Sequence, residues 1–242
     1  MIAIKIDMLT KRYRDVVAVD GLSLCIEEGE IFSLLGVNGA GKTTTVKMLS
    51  CLTKPTEGDA YLLGKSITKD TADVKALIAV SPQETAVAPG LSVRENLELM
   101  CGVYGFAEDK KNAKIKELTE LLGLSDVIFR KAGKLSGGWQ RRLSIAMALI
   151  GEPKILFLDE PTLGLDVIAR SELWDMIRSL KGRVTIILTT HYMEEAEALS
   201  DRIGIMRDGK LLICDTAENI KKSVKAENFN LAFVRIVKGV SG

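Results

Sequence analysis

The chain has 242 residues, 47% apolar and 27% charged, and its 33 basic side chains against 32 acidic ones leave a formal charge of +1. Such a chain is long enough to bury a core without staples, and its composition is that of an ordinary globular protein. A charge this near zero gives no broad footprint for nucleic acid, and the basic run Lys110, Lys111, Lys114, Lys116 is answered by Glu108, Asp109, Glu117 and Glu120, as on a solvated helix face.

Strand signals open the chain at residues 2–8, 22–26 and 31–35, separated by turn signals at Asp20-Gly21 and Glu28-Gly29-Glu30. A glycine-rich turn from Gly36 to Gly41 follows, and then residues 42–52 without a helix breaker. Another strand is predicted from Thr56-Glu57-Gly58 to Leu63-Gly64, and residues 77–81 form a short apolar run closed by Pro82. From Ser92 to about Ile150 the pattern is helical, with Val93, Leu97 and Met100 on one face and Ile115, Leu118, Leu121 and Leu122 on another. The βα rhythm resumes with a strand at 155–158, a helix near 168–180, a strand at 184–189, a helix near 193–199 and a hairpin turned at Asp208-Gly209. Continuous apolar strands separated by helices predict a parallel sheet covered on both faces. The tail from Ala217 reads as two short helices.

Cys25, Cys51, Cys101 and Cys214 are scattered, with no C-x-x-C and one histidine in the chain, which argues against a zinc site or a disulfide framework. No apolar run reaches the length of a membrane span, and the first residues alternate like a strand and lack the basic and apolar regions of a signal peptide. The expected location is the cytoplasm, with any membrane association made through a partner.

Gly36-Val37-Asn38-Gly39-Ala40-Gly41-Lys42-Thr43 fits G-x-x-x-x-G-K-[ST]. The glycines let successive N–H groups curl around phosphate oxygens, a helix N-terminus adds positive potential, the lysine reaches the β and γ phosphates, and the hydroxyl suits Mg²⁺. A second element, residues 155–158 followed by Asp159-Glu160, delivers two carboxylates to the carboxyl edge of a sheet, where ligands bind in open α/β folds. Asp159 is a candidate Mg²⁺ ligand, through water, and Glu160 a candidate for polarising an attacking water. Many buried strands end in acids; coupled to the phosphate loop, this one specifies a nucleotide site.

The third element, Leu135-Ser136-Gly137-Gly138-Trp139-Gln140-Arg141-Arg142, precedes an amphipathic helix carrying Leu143, Ala146, Met147 and Ile150. With it the sequence resembles the nucleotide-binding domains of ATP-binding cassette (ABC) ATPases, whose signature is L-S-G-G-Q; Trp139 stands where glutamine is commonest. The resemblance runs through about residues 1–215 in six ordered motifs. Gln83, in Ser81-Pro82-Gln83-Glu84, looks like the glutamine that contacts Mg²⁺ and water and hinges the helical subdomain. Asp166, after Pro161-Thr162-Leu163-Gly164-Leu165, looks like part of the loop that crosses to the partner subunit, with Leu163 replacing the usual Ser or Asn and Val167 the usual Pro. His191 resembles the family's switch histidine, and Tyr13 the aromatic that stacks on adenine.

The resemblance implies an α/β P-loop NTPase (RecA-like) with a parallel-sheet core, an N-terminal antiparallel β subdomain and an inserted α-helical subdomain. The expected division is 1–83 and 151–214 for the ATP-binding core with its β subdomain, 84–150 for the helical subdomain carrying the signature, and 215–242 for a helical tail. It implies ATP with Mg²⁺, catalytic roles for Glu160, His191 and Gln83, and metal contacts from Thr43, Gln83 and Asp159. ATP contacts are expected from Tyr13, Gly36, Asn38, Gly39, Ala40, Gly41, Lys42, Thr43 and Thr44 of one subunit and from Ser136, Gly137, Gly138 and Asp166 facing another. Partners would be a second nucleotide-binding subunit, identical or not, and an integral membrane permease, with no nucleic acid.

Within the family, residues 190–197 and the short tail look most like stand-alone ATPase subunits of drug and small-molecule exporters at the cytoplasmic face of the membrane. The rival is a soluble non-transport ABC ATPase, for example one serving cluster assembly. A GTPase would need an N-K-x-D string, which the sequence lacks.

Overall fold

The computed structural model describes residues 1–239; positions 240–242 of the expected tail lie outside the described residues. The first half of the chain forms β1 (Ile2–Tyr13), β2 (Val16–Glu27), β3 (Ile31–Leu35), α1 (Lys42–Leu49), β4 (Glu57–Leu62), β5 (Lys65–Ser66), α2 (Thr71–Leu77) and β6 (Ile78–Ser81). Then come α3 (Val93–Val103), α4 (Glu108–Leu121), α5 (Gly137–Leu149), β7 (Ile155–Asp159), α6 (Val167–Ser179), β8 (Thr185–Thr190) and α7 (Met193–Leu199). The hairpin β9 (Arg202–Arg207) and β10 (Lys210–Asp215) leads to α8 (Ala217–Ser223) and α9 (Phe229–Lys238).

Two sheets result. The antiparallel one has the order β2-β1-β4-β5; the other runs β10-β9-β3-β8-β7-β6, with only the edge strand β10 antiparallel. Every residue of β3, β7 and β8 is buried, as expected of strands covered on both faces. On one face, β7 and β8 side chains such as Leu156 and Leu188 share a core with Leu97 of α3, Leu118 of α4 and Ile145 of α5. On the other, Phe32, Phe157 and Ile187 meet the antiparallel sheet through Ile4, Ile6 and Leu62. A third cluster joins Ile203 and Ile205 to Phe229 and Phe233 of α9.

Two local expectations are corrected. Asp20-Gly21 is no turn: β2 runs through it with Gly21 at φ +61°, the β1–β2 register shifts opposite it, and Thr10 Oγ1 accepts the Gly21 N–H at 3.0 Å. A positive-φ glycine serves a bulge as well as a turn, and the hairpin reverses instead at Arg14-Asp15. The helix from Lys42 stops at Leu49 rather than 52, because Cys51 takes φ +57° and the N–H groups of Cys51 and Leu52 return to the carbonyls of Met48 and Lys47. That is a glycine-free Schellman closure, which leaves no mark in composition. The helical pattern of 92–150 resolves into α3, α4 and α5, with 3₁₀ turns at Ser125–Val127 and Ala132–Lys134 between α4 and α5.

Candidate nucleotide site

Register levels the ends of three adjacent strands. Leu35 of β3 pairs with Thr190 of β8, and Thr189 of β8 pairs with Asp159 of β7. The loop 36–41, the carboxylates and His191 therefore leave the sheet at one edge, although the sequence separates them widely.

There Asp159 Oδ1 accepts hydrogen bonds from Thr43 Oγ1 at 3.2 Å and from Thr189 Oγ1. Glu160 follows at φ +48°, its N–H donating to both the carbonyl and the hydroxyl oxygen of Thr189 at 3.1 Å. That turn aims Glu160 across the loop, where Oε1 lies 3.5 Å from Lys42 Nζ and Oε2 lies 2.8 Å from His191 Nδ1. Lys42 is itself buried, donating to the carbonyls of Gly36 at 2.8 Å and Val37 at 3.3 Å. Among the described residues no three His, Cys, Asp or Glu gather to cage a metal. The oxygens of Thr43 and Asp159, with Gln83 lining the same cleft as Thr43, are a hard donor set suited to Mg²⁺, which takes few protein ligands and completes its shell with water and phosphate.

The phosphate loop is held from behind by the β9–β10 hairpin. Gly209 donates to the Ala40 carbonyl at 3.2 Å and accepts from Asp20 N–H at 2.9 Å. Gly41 sits at φ +101°, and a Cβ there would stand 2.4 Å from the Ala18 carbonyl oxygen, so the loop packs where no side chain fits. In front of it opens a cleft of about 780 Å³, lined by residues 38–44, Tyr13, Gln83, Glu160 and His191. Sequence reasoning missed five further lining residues: Val16, Val17 and Ala18 on β2, Leu163 in the loop after Glu160, and Asp208 in the hairpin turn. It also missed Thr189, whose only signal is a hydroxyl in an apolar strand.

Gln83 reaches this cleft on a short loop tied to α5. Arg141, buried, donates from Nη1 to the Pro82 carbonyl and from Nη2 to the Gln83 carbonyl, each at 2.5 Å. Burial pulls the Arg141 pKa below the usual arginine value, with Asp159 and Glu195 opposing that shift.

Ser136, Gly137, Gly138 and Asp166 do not line the cleft. Ser136 occupies the N-cap of α5, yet its hydroxyl makes no capping bond; Asp166 caps α6, accepting the Ala169 N–H at 2.9 Å. The signature thus presents a 13-residue helix with an uncapped N-terminus away from the chain's own phosphate loop.

Residues 19–163 match the family described as "ABC transporter". The human protein "Phospholipid-transporting ATPase ABCA3" is 41% identical over 227 residues, 92% of this chain but only 13% of that protein. "Daunorubicin resistance ATP-binding protein DrrA3" of Streptomyces coeruleorubidus is 39% identical over 230 residues, 95% of this chain and 73% of the relative. Among solved structures, a dimeric ATP-binding cassette in a post-hydrolysis state with ADP and Pi superposes with a TM-score of 0.77 at 28% identity, covering 88% of this chain and 98% of the other. The family match takes in more than half of the sequence and all of the phosphate loop, and the chain belongs to the ABC transporter family.

Proposed function

We propose that the chain is the ATP-binding and ATP-hydrolysing subunit of an exporter, working as a head-to-tail dimer at the cytoplasmic face of a membrane beneath a separate permease. One observation carries this reading: the phosphate loop faces an open cleft, while the signature helix keeps its N-terminal N–H groups and the Ser136 hydroxyl unused and turned elsewhere. A second copy supplies what each cleft lacks, because a helix N-terminus is an anion site and a γ-phosphate is the anion on offer.

Within one subunit, Lys42 exchanges its carbonyl partners for the β and γ phosphates and Tyr13 stacks on the base. Thr43, Asp159 and Gln83 hold Mg²⁺, which when bound neutralises phosphate charge. Glu160 orients the attacking water and accepts its proton, and His191 contacts the γ-phosphate. The helical unit at 84–150 moves with the nucleotide through the Arg141 tie to Gln83 and passes that motion to the permease. No helix among the described residues is long and apolar enough to cross a membrane, in keeping with such a division of labour. Export is favoured by likeness to a relative named for drug resistance.

The test is Glu160→Gln. It should bind ATP, hydrolyse it about 10²- to 10⁴-fold more slowly, and dimerise in the presence of ATP by light scattering after gel filtration. Ser136→Arg should abolish that dimer. A Glu160→Gln protein that stays monomeric at high ATP would overturn the composite site. Isolation from native membranes in mild detergent should bring down a stoichiometric polytopic protein; only soluble partners would overturn the transport reading.

A further inference from the structure

Behind Glu160 and His191 lies a second, buried polar cluster that the proposed chemistry does not use. Glu195, in the first turn of α7, is fully buried, as are Thr162, two residues after Glu160, and Thr190, immediately before His191. Trp174 of α6 donates its Nε1–H to Glu195 Oε1 at 3.2 Å. Glu195 Oε2 and Thr162 Oγ1 are buried atoms left without a hydrogen-bond partner in this state, and the hydroxyls of Thr162 and Thr190 both face the carboxyl. Thr190 Oγ1 in turn accepts the Tyr192 N–H at 2.9 Å.

A buried carboxyl in a chain of this size is costly unless it is hydrogen-bonded, so one surrounded by hydroxyls from two catalytic segments calls for an explanation. We infer that Glu195 is a positioning residue, a latch whose carboxyl joins the loop after Glu160 to the strand end before His191 through Thr162 and Thr190. Its anchor on the other side is α6, the helix that Asp166 begins. The same helix touches the switch a second time, where the Arg170 guanidinium lies 4.5 Å from the Tyr192 ring centroid and that ring lies 4.1 Å from the His191 ring.

Burial raises the Glu195 pKa, the hydrogen-bonding groups of Thr190, Thr162 and Trp174 oppose that rise, and Glu160 adds to it. The neutral form carries one O–H donor, which gives Oε2 a proton to offer and Thr162 Oγ1 a proton to accept, satisfying both orphaned atoms at once. A hydrogen bond between Oε2 and the Thr162 hydroxyl closes the latch, with either group able to donate. Its closing sets the loop 161–166 and His191 together, so a partner subunit pressing on that loop would be felt at the switch.

The kinetic arm of the test rests on the chain being an ATPase. Glu195→Gln keeps a donor and an acceptor without charge and should hold kcat within about threefold of the wild type. Glu195→Leu and Thr162→Val should each lower kcat about 10- to 100-fold, as misplaced catalytic groups do, with ATP affinity little changed. The double variant should be no worse than either single one, because both open the same latch. Without nucleotide, amide exchange in both 160–165 and 189–194 should quicken in the Leu and Val variants and not in Glu195→Gln. A Gln variant as impaired as Leu, a Leu variant with wild-type kcat, or exchange that quickens in one segment alone would overturn the latch. A wild-type protein that hydrolyses no ATP would sink the ATPase reading, and the exchange arm would still decide the latch.

Discussion

His191 Nδ1 lies 2.8 Å from Glu160 Oε2 while the other oxygen of that carboxylate faces Lys42 at 3.5 Å, so one acid is shared between the switch and the phosphate loop. A carboxylate only accepts, so Nδ1 donates in this contact and Nε2 is the ring nitrogen left to face a phosphate.

His191→Ala should therefore cut hydrolysis about 10²- to 10⁴-fold, the range for losing a positioned proton-transfer group. Binding should weaken less than about tenfold, since a single hydrogen bond is lost. Steady-state ATPase assays alongside fluorescent-nucleotide titration separate the two.

Lys42→Ala should do the reverse. Its ammonium is the one cation buried in the loop, and charge-assisted bonds to phosphate contribute about 1.5–3 kcal/mol, so affinity should fall about 10- to 100-fold or more. Unchanged affinity in a folded variant would count against the loop assignment.

Gly41→Ala should unfold the loop without touching any charged group. The new Cβ would stand 2.4 Å from the Ala18 carbonyl oxygen at a φ of +101°, so a loss of about 1–3 kcal/mol in urea titration is expected. Nucleotide binding should be lost with it.

Glu95 supplies a pH signature outside the site. It closes a capping box with Ser92 at the start of α3, and that backbone bond, with Lys131, lowers its pKa from 4.5 to about 2. A folded pKa below the unfolded one means stability that is present above pH 4.5 and is lost as pH falls toward 2. The melting-temperature gap between wild type and Glu95→Gln should be full at neutral pH and close across that window; a gap that widens in acid would refute the assignment.

If a permease docks beside the cleft, the loop after Gln83 is where we propose it does so. Ala86 is exposed, whereas Ala88 is pinned, its N–H donating to buried Asn96 at 2.8 Å. A cysteine at Ala86 should crosslink to the permease in native membranes, and more readily than one at Ala88. Reaction with solvent alone, while probes on the opposite face crosslink, would place the docking surface elsewhere.

The phosphate loop, the acid-tipped strand and the signature were legible because each joins a rare residue pattern to a backbone need: glycine at positive φ, a strand buried at every position, a helix starting at serine. What escaped was set by tertiary pairing. Thr189 gains its role only because β8 lies beside β7, and Glu195 only because α7 folds its first turn under two threonines from elsewhere. Asp20-Gly21 misled because a bulge and a turn ask for the same glycine. Val16 to Ala18 became cleft residues once the hairpin reversed at Arg14-Asp15, six residues before the turn signal.

The sheet order has a consequence for how the protein is made. β8 lies between β3 and β7, so the strand that carries the phosphate loop and the strand that carries the acids share no hydrogen bond and are joined only through the strand leading to His191. A nascent chain that has emerged only as far as Glu160 holds both halves of the chemistry with an open slot between them, and pairing across so long a loop is slow. Ribosome-stalled chains should acquire ATP binding abruptly, when β8 clears the exit tunnel, and not in step with the appearance of the glycine loop.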